Sequence, residues 1–262
     1  MPRISVLNMK GGVGKTTASI HIAAGLAGRG NRVLLIDADP QGNISHTLNL
    51  RHGTTLRELM LDEASIDEAV VRDVRENLDV IVSTTAAFSL ERQLAGAMQR
   101  ETIMSRRFNN LAEYDFVVVD TSPAMNLITF NALLFADAAV IPVSMDLMAV
   151  IGARQTLSGI CEVRQLWPDR RLDILAVLPT LVNHSTNATR ATLELLNSDP
   201  QFNSLVHPGG IRQCLDLTYA AAAHQTIWEY APRSRAAEDF NTFVDFIEHS
   251  TRSETLVAYA KI

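Results

Sequence analysis

The stretch KGGVGKTT, residues 10–17, decides the fold of this chain. A short apolar run at residues 4–7 precedes it, and a helical pattern of small and aliphatic residues at 18–27 follows it. A strand, a glycine-rich turn and a helix in this order are typical of a loop that binds the phosphates of a nucleotide. Gly14, Lys15 and Thr16 fit the end of the GxxxxGKS/T motif, although the first position of that motif is not glycine here.

Each residue type in this stretch suits phosphate binding. Glycines let backbone N–H groups turn inward on phosphate oxygens, and the N-terminus of the following helix adds a partial positive charge. The ammonium group of Lys15 can reach the β- and γ-phosphates, and the hydroxyl of Thr16 can bind Mg²⁺. The predicted nucleotide-binding residues of the loop are Gly11, Gly12, Val13, Gly14, Lys15, Thr16 and Thr17.

Carboxylates end two further apolar runs. Asp37 ends the run 32–37, Asp39 follows it by two residues, and Asp120 ends the run 114–120. The carboxyl ends of parallel strands form the edge at which open α/β sheets bind ligands. We therefore predict that Asp120 holds Mg²⁺ and its waters; the alternative is a strand-end residue that only caps the next turn.

Asp39 is the predicted catalytic carboxylate. Loss of a γ-phosphate needs a positioned water and neutralised charge rather than covalent chemistry. We expect Asp39 to orient or deprotonate that water and to lie near the metal. Asp37 is expected to support Mg²⁺ and the loop, and Gln41 is the next candidate for the catalytic role. The alternative is that Asp39-Pro40 merely starts a turn.

The alternation of strands and helices predicts an α/β fold with a mostly parallel, twisted sheet and helices on both faces. Strands are expected at 4–7, 32–37, 78–82, 114–120, 138–143 and 172–178. Helices are expected at 18–27, 55–60, 66–71, 127–135, 147–166, 187–196 and 235–249, with a surface helix pair over 86–112. Residues 1–262 are interpreted as one domain, in which 251–262 can form a tail.

Composition limits the class of protein. No apolar run approaches the roughly 18 residues of a membrane span. The sequence leads directly into the first strand without a signal peptide, and Cys161 and Cys214 form no CxxC pair, so we expect a cytoplasmic protein. The net charge of −6 argues against nucleic-acid binding by the monomer as a whole, but it leaves room for a local basic patch.

KGGVGKTT, DADPQGN at 37–43 and FVVVDTSP at 116–123 occur in the order and spacing of ParA-type ATPases. The chain resembles this deviant Walker A group, which also includes MinD, from about residue 3 to residue 250. The resemblance implies a P-loop NTPase fold, ATP and Mg²⁺ as cofactors, and a sandwich homodimer. It also implies a catalytic role for Lys10, which in that family reaches across the dimer interface to the nucleotide of the partner.

The resemblance carries further expectations. Family members bind nucleoid DNA without sequence preference while they hold ATP, and a ParB-like or cargo-adaptor protein stimulates hydrolysis and releases them. The cargo is a plasmid, a chromosome or a protein assembly such as a carboxysome. The resemblance also implies nucleotide contacts by Asp37, Gln41, Thr180 and Pro232. The basic positions of the family are not matched in this sequence, and the candidates for the DNA contacts are Arg190 and Arg212.

Two alternatives stay open. A MinD-like, membrane-cycling ATPase needs a lysine-rich amphipathic tail, and residues 254–262 contain one lysine, so no membrane partner is expected. A metabolic ATP-dependent enzyme or an electron-transfer reductase can share the fold. The reductase needs a set of cluster-binding cysteines that this sequence lacks.

Overall fold

The computed structural model describes residues 1–252, and its strands form one twisted sheet. The strands are β1 (Arg3–Val6), β2 (Val33–Ala38), β3 (Val70–Arg75), β4 (Leu78–Ile81), β5 (Phe116–Thr121), β6 (Ala138–Ser144) and β7 (Asp173–Thr180). Within the described part of the chain, the order across the seven-stranded sheet is β3-β4-β2-β5-β1-β6-β7. All neighbouring pairs are parallel except β3 and β4, which are antiparallel.

Helices cover both faces of this sheet. They are α1 (Lys15–Ala27), α2 (Asn43–Leu48), α3 (Leu56–Met60), α4 (Ile66–Ala69), α5 (Leu90–Gln93), α6 (Ile103–Arg107), α7 (Leu127–Phe135), α8 (Leu147–Leu166), α9 (Asn187–Ser198), α10 (Leu215–Ala222), α11 (Ile227–Tyr230) and α12 (Arg235–Arg252). Two 3-10 turns lie at Thr85–Ser89 and Arg100–Thr102.

The central strands are hydrophobic because both of their faces are covered. Every residue of β2, β5, β6 and β7 is buried, as expected for parallel strands between two layers of helices. One core packs α1 and α12 onto the sheet, with Phe240 and Phe243 fully buried. The helices α7 and α8 cover the opposite face.

The predicted α/β fold is confirmed, and two local predictions are wrong. The helix expected at 66–71 ends at Ala69, because Val70 and Val71 pair with Ile81 and Val80 as the antiparallel edge strand β3. The surface helix pair expected over 86–112 is a series of short turns. The helices α2, α10 and α11 were not predicted.

The carboxyl ends of the parallel strands gather the candidate loops at one edge of the sheet.

Between residues 1 and 252, no helix combines the length and the apolar character needed to cross a bilayer. Residues 253–262, which include most of the expected tail at 251–262, lie outside the described residues.

Candidate nucleotide-binding site

The phosphate-binding loop has the backbone that its glycines allow. Gly12 and Gly14 have φ angles of 77° and 84°, in the left-handed region that favours glycine. Gly14 is the N-cap of α1, without a side-chain cap and without an acidic residue in the first turn. By contrast, each of the helices α7, α8 and α9 has an N-cap residue whose side chain accepts a hydrogen bond from a backbone N–H of the first turn. The first N–H groups of α1 are thus available to a phosphate.

The first half of the loop is held from β6 and α8. Asn8 Nδ2 donates to the carbonyl of Pro142 over 2.7 Å, and Asn8 Oδ1 accepts from the N–H of Lys10 over 2.8 Å. The N–H of Met9 donates to Thr156 Oγ1 over 3.0 Å. A Cβ added at Gly152 would lie 2.8 Å from Lys10 Cβ, so only glycine lets α8 pack this closely against the loop.

These supporting residues were not predicted from the sequence. Asn8 is visible as a polar residue between a buried strand and the loop, and Gly152 as a glycine inside a long helical pattern. The contacts that join the loop to β6 and α8 connect residues more than 130 positions apart, so the spacing gave no sign of them.

Thr180 lies against the loop from the end of β7. Its Oγ1 donates to the carbonyl of Val13 over 2.8 Å, and its side chain is 3.9 Å from the position of a Cβ built on Gly14. Pro232 is exposed in the segment that joins α11 to α12. The structure therefore places Thr180 at the loop, whereas a contact of Pro232 with the nucleotide stays a prediction.

Asp37 and Asp120 are neighbours across the parallel strands β2 and β5, and both are fully buried. Asp120 accepts hydrogen bonds from Thr16 Oγ1 over 2.7 Å and from Ser19 Oγ over 2.9 Å. The hydroxyl and the carboxylate predicted to hold Mg²⁺ are thus in direct contact. Ser19 was not predicted, although it lies one helical turn after Lys15.

Asp37 supports the loop that follows β2. Its Oδ1 accepts from the N–H of Asp39 over 3.0 Å, and its Oδ2 accepts from the N–H of Ile44 over 3.2 Å. The second bond satisfies the start of α2, whose N-cap Gly42 has no side chain to do so. Both oxygens are therefore used by the backbone, and this agrees with the predicted loop role better than with a metal role.

Asp39 is buried beside the acidic pair and the loop lysine. Its Oδ1 accepts from the N–H of Gln41 over 2.9 Å, so Asp39 does begin the turn that the alternative interpretation predicted. Within residues 1–252, its Oδ2 has no hydrogen-bond partner and is free for another ligand. The Gln41 residue itself is exposed.

Burial and charge crowding shift the pKa values of this cluster. Burial raises the pKa of Asp120 to about 6, with a smaller contribution from Asp39, against the hydrogen bonds from Thr16 and Ser19. Burial, followed by the charge of Asp120, raises the pKa of Asp37 well above its usual range. Burial lowers the pKa of Lys15, although Asp120 and Asp39 oppose this shift.

These residues fit a bound Mg²⁺ only together with phosphate oxygens. In the described part of the chain, no three His, Cys, Asp or Glu side chains are arranged to hold a metal ion. Mg²⁺ keeps several waters and takes one or two protein ligands plus phosphates, which the Thr16–Asp120 pair can complement. The excess of buried carboxylates over the single cation Lys15 favours a divalent ion here.

Lys10 lies at the mouth of the loop. Together with Gly11, Gly12 and Asp146 it lines an open cavity, and it forms no ion pair with residues 1–252. Leu181 lines the same cavity, and Leu147 and Met148 follow its lining residue Asp146 in the chain. These three side chains, which we call the apolar rim, are 46%, 61% and 58% exposed. An apolar rim around a charged site is typical of a surface that another protein covers.

The two arginines suggested as DNA contacts differ in their surroundings. Arg212 donates to Asp239 over 2.9 Å and to Glu238 over 2.6 Å, so its charge is neutralised within the chain. This geometry speaks against its predicted role. Arg190 is exposed on α9, and among residues 1–252 its guanidinium donates only to the side-chain oxygen of Asn187, over 2.8 Å.

Known proteins resemble this chain over most of its length. The AAA domain family matches residues 1–174. The sporulation initiation inhibitor protein Soj of Bacillus subtilis is 34% identical over 239 residues, which cover 90% of this chain and 93% of that protein. The chromosome-partitioning ATPase Soj of Thermus thermophilus is 32% identical over 246 residues, covering 93% of this chain and 94% of that protein.

Solved structures share the fold over nearly the whole chain. A structure named cobyrinic acid a,c-diamide synthase from Mycobacterium smegmatis, with a bound ATP analog and magnesium, has a TM-score of 0.83 and 27% identity and covers 96% of both chains. The apo structure of McdA from Cyanothece has a TM-score of 0.84 at 23% identity, covering 94% of this chain and 98% of that one. The loop, the acidic pair and these relatives together place the chain in the ParA family of P-loop ATPases.

Proposed function

We propose that this chain is an ATP-dependent, dimerising ATPase that binds nucleoid DNA nonspecifically and segregates or positions a cargo. The observation that carries the ATPase part is the uncapped start of α1 with Lys15 beside the Thr16–Asp120 pair. Partitioning is favoured because the Thermus relative, at 32% identity over 93% of this chain, is named a chromosome-partitioning ATPase. Cytoplasmic, nucleoid-associated localisation belongs to the same proposal.

The proposed cofactors are ATP and Mg²⁺, which neutralises charge on the phosphates when bound. The backbone of Gly11–Thr16 binds the phosphates, and Lys15 adds a charge-assisted contact. Thr16 and Asp120 hold the metal side of the site. The free Oδ2 of Asp39 orients or deprotonates the attacking water, while its Oδ1 stays fixed by Gln41.

Lys10 and the apolar rim support the proposed sandwich dimer. Lys10 has no partner carboxylate within residues 1–252, and the rim residues Leu147, Met148 and Leu181 are exposed. Two triphosphates that face each other across an interface repel, so each needs a cation from the opposite subunit. Lys10 supplies that cation in our proposal, and the rim supplies apolar area.

The dimer is tested by light scattering with ATP in a hydrolysis-deficient Asp39→Ala background. We expect Lys10→Ala and Met148→Ser to weaken dimerisation while ATP binding to the monomer persists. Met98→Ser is the matched control, since Met98 is 86% exposed but lies outside the rim. Dimerisation that survives the loss of Lys10 would contradict its role across the interface.

DNA binding is proposed for a small patch rather than for the whole acidic surface. Arg190 has no carboxylate partner within residues 1–252, and the same is true of Arg235, which donates to the carbonyl of Gln213. Retention on DNA should need ATP, should ignore sequence and should fall steeply with salt. Arg190→Ala should weaken it, with the exposed Arg170→Ala as control. Equal retention with ATP and ADP would contradict the nucleotide switch.

The same experiment separates the competing functions. The Mycobacterium structure carries the name of a synthase, which favours a metabolic enzyme as the second candidate. That candidate predicts no DNA retention in any nucleotide state, and turnover that depends on a small-molecule acceptor. A MinD-like ATPase predicts ATP-dependent binding to anionic vesicles. Stimulation of hydrolysis by DNA and an adaptor protein supports partitioning.

A further inference from the structure

His21 joins the phosphate-loop helix to the C-terminal helices. It lies on α1 one turn after Thr17, is only 5% exposed, and takes no part in the chemistry described above. Its Nδ1 is 2.7 Å from the carbonyl oxygen of Thr17. Its Nε2 is 3.0 Å from the backbone N–H of Ile227, the first residue of α11.

These two contacts require one form of the imidazole. A carbonyl oxygen only accepts, so Nδ1 carries the proton, and a backbone N–H only donates, so Nε2 is bare. The neutral Nδ1–H tautomer is therefore the form that satisfies both partners. Burial lowers the pKa of His21 to about 4, which keeps the ring neutral at physiological pH.

The ring is held in this orientation by close packing. It stacks on Phe240 with a centroid distance of 4.6 Å and an interplanar angle of 19°, and it lies 5.7 Å from the ring of Trp228. A Cβ added at Gly25, one turn further along α1, would lie 2.7 Å from Val244 and 2.9 Å from Trp228. The ring therefore cannot turn without moving α11 or α12.

We propose that His21 is a positioning residue that couples the phosphate loop to α11 and to the segment 230–234 that follows it. Thr17 is a predicted nucleotide-binding residue, and its carbonyl accepts one of the two hydrogen bonds of His21. The other hydrogen bond fixes the start of α11, so the state of the loop determines how firmly the segment 230–234 is held. The inference rests on the proposed binding of ATP at the loop, and the test measures that binding separately in the unsubstituted protein.

The coupling is tested with two variants at His21. His21→Phe keeps an aromatic ring against Phe240 but removes both hydrogen bonds. His21→Asn keeps one donor and one acceptor. We expect His21→Phe to raise the KM for ATP roughly fivefold to tenfold, in line with a lost buried hydrogen bond. We expect the KM of His21→Asn to lie close to that of the unsubstituted protein, and kcat to change little in either variant.

A second pair of variants removes the partner group instead. Ile227→Pro deletes the N–H at the first position of α11, where proline fits, while Ile227→Ala keeps it. Both lose apolar side-chain atoms, so a KM increase in Ile227→Pro beyond that in Ile227→Ala reports the hydrogen bond alone. Val244→Ala on α12 is the packing control, expected to lower stability without changing KM.

Hydrogen exchange distinguishes this coupling from a simple loss of stability. ATP should slow exchange of the amides at 227–230 in the unsubstituted protein and not in His21→Phe. The inference is overturned if ATP protects α11 equally in both, or if Ile227→Pro and Ile227→Ala have the same KM. Absence of ATP binding by the unsubstituted protein would instead refute the proposed function.

Discussion

Replacement of Asp120 by asparagine should stabilise the nucleotide-free protein and abolish its response to Mg²⁺ and ATP. Burial raises the pKa of Asp120 from an ordinary 3.8 to about 6. A carboxyl group with a raised pKa in the folded state contributes stability that is full below its unfolded pKa and is lost as pH rises through the folded value. The window of this loss is therefore from about 3.8 to about 6.

The size of the effect follows from the shift. A difference of about 2 pKa units, at about 1.4 kcal/mol each, corresponds to about 3 kcal/mol lost by the unsubstituted protein above neutral pH. Asp120→Asn has no charge to bury, so it should lack this loss. It should also ease the ionisation of Asp37, whose pKa is raised by burial and then by the charge of Asp120.

The assay is urea unfolding, followed by circular dichroism, without nucleotide or Mg²⁺ from about pH 4 to about pH 8. The advantage of Asp120→Asn should grow with pH to about 3 kcal/mol, whereas the exposed control Asp169→Asn should parallel the unsubstituted protein. Added Mg²⁺ and ATP should stabilise only chains that retain Asp120. A constant difference between Asp120→Asn and the unsubstituted protein at all pH values would refute the reasoning.

Three further predictions concern the same framework. Lys15→Ala should lose nucleotide binding because the phosphates lose a buried cation, and wild-type affinity in a calorimetric titration would contradict the loop assignment. His21 has its pKa lowered by burial from 6.5 to about 4, so its stability contribution is full above about pH 6.5 and is lost as pH falls to about 4. This loss is about 3 kcal/mol, and it should disappear in His21→Asn but persist in the exposed control His52→Asn, as measured by urea unfolding. Thr156→Val removes the hydroxyl that accepts a loop N–H and should weaken ATP binding roughly fivefold, whereas Thr218→Val on the exposed face of α10 should not.

The sequence was sufficient for those features that local patterns determine. Apolar runs of four to eight residues are typical of buried parallel strands, and the strands expected at 32–37, 114–120 and 138–143 are present. The rule that open α/β sheets bind ligands at the carboxyl ends of their strands predicted that Asp37 and Asp120 lie at that edge, and the structure pairs them across β2 and β5.

Contacts between distant segments could not be predicted in this way. The bond between His21 and Ile227 joins residues 206 positions apart, and the bond between Met9 and Thr156 joins residues 147 apart. Arg212 looked like a free basic residue because its partner Asp239 lies on a helix 27 residues later. The first two residues of the edge strand β3 were predicted to be helical, because they follow a short helical turn and gain their strand pairing only from β4.

The construction of the loop explains how one short stretch can hold two lysines with different surroundings. Its first half bonds outward to β6 and α8 through Asn8 and Met9, and its second half belongs to α1. Lys15 joins the halves, since its Nζ donates to the carbonyl of Lys10 over 3.1 Å. An ammonium group has three N–H donors, so this bond leaves two for phosphate oxygens. The backbone of Lys10 is thus fixed from both sides, by Asn8 and by Lys15, while its side chain stays at the mouth of the site without a carboxylate partner within residues 1–252.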